Sequence, residues 1–224
     1  MKKFIIFFLL LTGFISANAV SQEMNTADAE KKDIGFDYGS IDSNIYKNSF
    51  FSLTASIPEK WFVQSKETTQ MLIEKGKDIV AGDDENMKAV IRASDVNTAY
   101  LLTVFQNELG TPVEYNASFM IMAENLKLYP GIKTGKDYLF SARRLMNQSQ
   151  IKYDHLDEDF EKRSIGGKEF YLMNALIKYA GLDIKQTYYC TTLNGFALNV
   201  IISYVTDEQK AILDKFVSSI RFNK

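Results

Sequence analysis

The sequence predicts an α+β fold, an antiparallel sheet with helices packed on its faces. Three observations carry this expectation. Strand-like runs precede and follow the helical ones, so strand and helix do not alternate regularly as in a parallel α/β protein. Two turn pairs, Gly166-Gly167 and Asn194-Gly195, each sit between runs rich in β-formers. Thr206 and Gln209 make a capping box at the head of a last helix, whose apolar residues must cover the preceding hairpins.

Taken in order, the segment 46–63, YKNSFFSLTASIPEKWFV, puts Phe51, Leu53, Ala55 and Ile57 at every second position, as a half-buried strand does, until Pro58 ends it. The turn Pro58-Glu59-Lys60-Trp61 returns the chain as a second strand through Trp61 and Val63. Trp61, the only tryptophan, is expected to be largely buried among the neighbouring aromatics. Residues 65–80 read as an amphipathic helix with Met71, Leu72, Ile79 and Val80 as apolar positions and Gly82 as its stop. Asp84 is the N-cap candidate of a second helical stretch through Met87, Val90 and Ile91. The run 98–108 is dense in β-formers and reads as a central strand. Two helices are then expected, over 115–128, closed by Pro130-Gly131, and over 134–147. Strands follow at 151–164, 168–178, 182–193 and 196–205. The capped helix runs through Ala211, Ile212, Phe216 and Val217, and residues 219–222 tuck back onto the sheet.

Composition bounds what such a domain does. The 224 residues are 46% hydrophobic, 13% aromatic and 24% charged, enough for one compact domain without metal or disulfide. Residues 1–19, MKKFIIFFLLLTGFISANA, have a two-lysine start, an apolar stretch too short to span a bilayer, and small residues Ala17 and Ala19 before a cleavage point. This is the layout of a secretory signal peptide, which gives a mature chain from Val20 in a periplasm or outside the cell. Residues 20–44 are polar and read as a flexible linker, and 45–224 as the single domain. The net charge of −2 becomes more negative without Lys2 and Lys3, and no basic run exceeds two residues, so nucleic acid is not an expected partner. The lone Cys190 excludes an intramolecular disulfide.

Motifs for chemistry are sparse. His155, Asp157 and Asp159 share one face if 151–164 is a strand, an arrangement able to offer an imidazole and two carboxylates to a divalent ion; the alternative is a solvated edge. No EF-hand glycine accompanies them. Gly131-Ile132-Lys133-Thr134-Gly135-Lys136 has the wrong spacing and context for a phosphate loop, so no cofactor is expected. Cys190 shares a strand face with Ile184 and Tyr188, as a packed small hydrophobe would, and a Cys190–His155 dyad requires two distant strands to align. The adjacent Tyr188 and Tyr189 point to opposite faces, which places at least one ring on the less covered side and makes the pair a candidate binding surface.

Four stretches together resemble the PsbP-like family, whose fold is shared with the small Mog nuclear-transport proteins: the opening 46–63, the turn IGGKEFYLM (165–173), the Asn194-Gly195 hairpin, and the ending TDEQKAILDKFVSSIRF (206–222). The resemblance covers about residues 45–223. It implies a three-layer α/β/α sandwich around a central antiparallel sheet, used by most members as an accessory or protein-binding module rather than an enzyme. The helical stretch 65–95 is longer than in the plant photosystem proteins, nothing indicates photosynthesis, and no functional residues carry over. The resulting expectation is an exported, non-enzymatic accessory protein that binds another protein. A small hydrolase or divalent-metal enzyme using His155, and a carrier of a small apolar ligand, are the alternatives.

Overall fold

A computed structural model describes residues 36–223; the leader and most of the expected linker lie outside them. In chain order the elements are β1 (Ser40–Asp42), β2 (Ile45–Asn48), β3 (Leu53–Ser56), β4 (Phe62–Val63), α1 (Lys66–Ala81), α2 (Glu85–Asp95), β5 (Thr98–Phe105), β6 (Ser118–Asn125), α3 (Gly135–Met146), β7 (His155–Leu156), β8 (Glu161–Ile165), β9 (Lys168–Tyr179), β10 (Leu182–Leu193), β11 (Phe196–Tyr204), α4 (Asp207–Ser219) and β12 (Arg221–Phe222). The chain is α+β, and every strand pair is antiparallel.

Helix boundaries follow the capping chemistry. Ser65 accepts the Thr68 N–H at 3.1 Å, Asp84 the Met87 N–H at 3.0 Å, and Thr134 and Thr206 head full capping boxes with Asp137 and Gln209. The long hairpins follow turn chemistry. Asn194 and Gly195 take φ of 52° and 80°, the mirror-image turn that matches strand twist, and leave Leu193 paired with Phe196.

The main sheet runs β4-β5-β6-β11-β10-β9-β7, with β8 also on β9, and a second sheet runs β1-β2-β3-β12. Each face of the main sheet has its own core. On one, Leu102, Val104, Phe119, Ile121, Leu198, Val200 and Ile202 pack with Tyr46, Phe51 and Leu53 of the second sheet and its β2–β3 connection, and with Leu213, Phe216 and Val217 of α4. On the other, Met120, Met122, Met173, Cys190 and Ile201 pack with Val80 of α1, Met87 and Ile91 of α2, and Leu139, Leu145 and Met146 of α3. The expected α/β/α sandwich is therefore modified: the α4 face also carries a small sheet.

Four expectations are corrected. The run 115–128 contains the strand β6 and no helix, because Phe119 to Ala123 is apolar without a polar stripe. Phe119, Ile121 and Ala123 enter one core and Met120 and Met122 the other, as in a strand buried on both faces. The run 151–164 is two short strands on the same edge of β9. β3 and β4 do not form a hairpin: β3 joins the small sheet and β4 pairs with β5, while 219–222 docks through β12 on β3. Within the expected linker, residues 36–44 are held by the domain. Phe36 packs on Phe50 and Phe196, the Asp37 carboxylate accepts the Gly39 N–H and the Ser49 hydroxyl, and β1 pairs with β2. Hydrogen bonds from Ser49 and Gly39 hold that carboxyl below its ordinary range.

Candidate functional site

Tyr188 and Tyr189 do point to opposite faces, but both rings are 2% exposed, because both faces of β10 are covered. The Tyr188 hydroxyl donates to Gln186 at 2.7 Å and the Tyr189 hydroxyl accepts from Arg163 at 3.4 Å. The surface expected at this pair is thus interior. Trp61 is half-buried rather than enclosed, stacked on Phe119 at a centroid distance of 5.9 Å.

His155 and Asp157 are neighbours, with Nε2 and Oδ1 2.9 Å apart, and the face argument stops there. β7 ends at Leu156, and the second oxygen of Asp157 accepts from the Asn174 backbone and side chain at 2.7 and 2.9 Å, which turns the chain away before Asp159. Among the described residues, no three His, Cys, Asp or Glu side chains gather where a metal ion would sit. Cys190 is fully buried and desolvation pushes its thiol well up. Along β9, Cys190 lies opposite Tyr171 and His155 opposite Leu176, a five-residue offset of roughly 16 Å, so they form no dyad.

A buried carboxyl appears where nothing in the sequence marked one. Glu124 of β6 is 2% exposed and accepts from Tyr138 of α3 at 2.8 Å and from Ser94 of α2 at 3.1 Å. Burial pushes it up to about 7, against the two hydrogen bonds that favour its charge. Enclosed by two helices and the sheet, it ties elements together and offers nothing to a substrate.

The open chemistry lies at the other end of the main sheet. β4 contributes only Phe62 and Val63, opposite Phe105 and Val104, and Gln64 adds one bond to the Thr103 carbonyl. The Ser65 cap then starts α1, and among the described residues β4 pairs only with the Val104–Phe105 end of β5. A groove of about 630 Å³ runs along β5, within the usual range of ligand sites. Thr98, Tyr100, Leu102 and Thr103 form its sheet side, Lys66 and Gln70 of α1 its helical side, and Tyr38 and Val96 also line it.

Its electrostatics are balanced and held. Asp95 pairs with Lys77 at 2.7 Å and accepts the Tyr100 hydroxyl at 3.1 Å. Burial opposes the Lys77 charge, but hydrogen bonds to Asp95 and Glu74 outweigh it and raise the ammonium above its ordinary value. Lys66 stands 3.9 Å over the Tyr38 ring. Thr103, 3% exposed, has a hydroxyl with no hydrogen-bond partner among the described residues. Such an orphan is costly and calls for a reason. β5 lies between β4 and β6, as the reading of a central strand expects, whereas the groove beside it was not foreseen; the available signal was the shortness of the run between Trp61 and the Ser65 cap.

No family model matches the chain, and no curated protein matches it. Among solved structures, it is similar to LpqN of Mycobacterium tuberculosis, described as involved in cell envelope biogenesis, at 10% identity over 77% of this chain and 83% of that one, with a TM-score of 0.43. A protein from Bacteroides thetaiotaomicron is similar at 9% identity over 77% of this chain and 45% of that one, TM-score 0.40. The chain is also similar to cyanobacterial PsbP (CyanoP) from Synechocystis sp. PCC 6803, at 13% identity over 83% of its length and 98% of the other, with a TM-score of 0.45.

Proposed function

We propose that the protein is an exported, non-enzymatic accessory protein that binds a partner by taking one segment of it into the groove between β5 and α1. The observation that carries this reading is the groove itself, about 630 Å³ and lined by polar side chains together with Tyr38, Val96 and Leu102. The amide group of Gln70 suits the polar backbone of such a segment, and Tyr38 gives one side chain an aromatic surface. Export rests on the leader 1–19. No helix among the described residues is long and apolar enough to cross a membrane.

Selection of displayed random peptides against the exported chain, followed by binding to chains carrying Gln70→Arg or Val96→Arg, tests the site, since both residues line the groove at exposed positions. Binders are expected to lose affinity for both variants while the melting temperature is kept. Binders indifferent to both substitutions would sink the groove reading.

A further inference from the structure

A second surface, away from the groove and independent of it, lies where the loop after β6 meets α3. Leu128 is 68% exposed and Phe140 53%, and both line a shallow depression with Tyr129, Pro130 and Ile132. Cations bracket these apolar groups. Lys127 adjoins Leu128 and Lys133 follows Ile132. On α3, Lys136, Phe140 and Arg144 recur every fourth residue and so share one stripe. All four cations are exposed, and none has an ion-pair partner among the described residues. The only acid from 126 to 144 is Asp137, whose carboxylate closes the α3 cap on the Lys133 and Thr134 N–H groups and the Thr134 hydroxyl. In a chain with net charge −2, this stretch is strongly positive.

We infer that this patch docks the protein on the surface of an anionic phospholipid bilayer, with Leu128 and Phe140 entering the headgroup boundary and Lys127, Lys133, Lys136 and Arg144 reaching phosphates around them. Apolar side chains ringed by long, unpaired cations fit such an interface, because the cationic heads extend to headgroup level while their stems stay beside the apolar centre. Charge complementarity selects an anionic surface, and contact with headgroups satisfies cations that no protein carboxylate holds. A protein hot spot would more naturally show cations fixed in place by neighbouring side chains, as Arg143 is by the Asp157 and Glu158 carbonyls.

Vesicles of phosphatidylglycerol and phosphatidylcholine in equal parts, beside vesicles of phosphatidylcholine alone, test this by co-sedimentation of the chain recovered after export. Binding to the anionic vesicles only, released toward about 1 M salt where screening is strongest, is expected. Lys133→Glu with Lys136→Glu places acid at the α3 N-terminus, which favours the helix, and should weaken binding by roughly tenfold or more with the melting temperature kept. Leu128→Ser with Phe140→Ser, both at exposed positions, should lose binding even at low salt. Equal binding to both vesicle types, no binding to anionic vesicles, or charge-reversed protein that binds like the wild type would overturn the inference. Capture of poly-glutamate by a chain that ignores vesicles would do so too, by assigning the patch to an acidic protein.

Discussion

Ala180 shows how a residue can sit against its own preference. It adopts φ of 51° in the β9–β10 turn, followed by Gly181 at 84°, where Asn-Gly is the favoured pair. Ala180→Asn should therefore stabilise the domain by about 0.5–1 kcal/mol, read as a higher midpoint in chemical denaturation. Gly135 is constrained from the opposite direction. A Cβ there would lie 2.1 Å from the Cys190 carbonyl oxygen, so only glycine lets the head of α3 press onto β10. Gly135→Ala should cost roughly 1–3 kcal/mol, and a mutant melting with the wild type would show that α3 sits farther from the sheet. Thr103→Val keeps the shape and removes a buried hydroxyl with no partner among the described residues, so it should leave the fold as stable or raise it by about 1 kcal/mol. A stability loss would mean the hydroxyl already has a partner. These features differ in legibility: the turn signal of Gly181 is visible in the sequence, whereas the approach of Gly135 to Cys190 and the isolation of Thr103 arise from tertiary neighbours.

At the scale of elements, strong local signals located the chain well. Ser65, Asp84, Thr134 and Thr206 cap the four helices among the described residues, and both turn pairs expected to close hairpins do so. β6 was illegible because Met, Ala and Glu favour helices while burial on both faces decides for a strand, a choice that periodicity cannot make in an unbroken apolar run. The groove beside β5 was hidden for a related reason: β-former density shows that a strand exists, not which surfaces it comes to line. Glu124 ties three elements together at an electrostatic cost. Its folded-state carboxyl titrates near 7, above the unfolded value of 4.5. Its stabilising contribution is thus fully present below about pH 4.5 and is lost as the pH rises through about 7, on the order of 3 kcal/mol. Glu124→Gln should remove this dependence, leaving the mutant more stable than the wild type above pH 7 and the two closer at pH 4.5. Parallel stability curves at both pH values would show that Glu124 does not resist ionisation.

The whole molecule separates a filled interior from two distinct surfaces. On the helix-covered face of the main sheet Met120, Met122, Met173 and Met146 are all fully buried. His155 lies on the β9 edge, remote from Cys190. The α+β class was legible because hairpins and caps are local; the second sheet was not, since β12 and β3 meet only after the whole domain has closed. What the architecture leaves accessible is the groove between β5 and α1, and the account stands on its taking a partner segment. Amide hydrogen exchange resolved along β5 and α1, in the free chain and with the tightest selected peptide, tests this most directly. Amides from Thr98 to Thr103 and from Lys66 to Gln70 should become better protected on binding, while those of β7 and β8 at the far edge of the sheet keep their rates. Binding that leaves the groove amides unchanged, or that protects only the far edge, would contradict it.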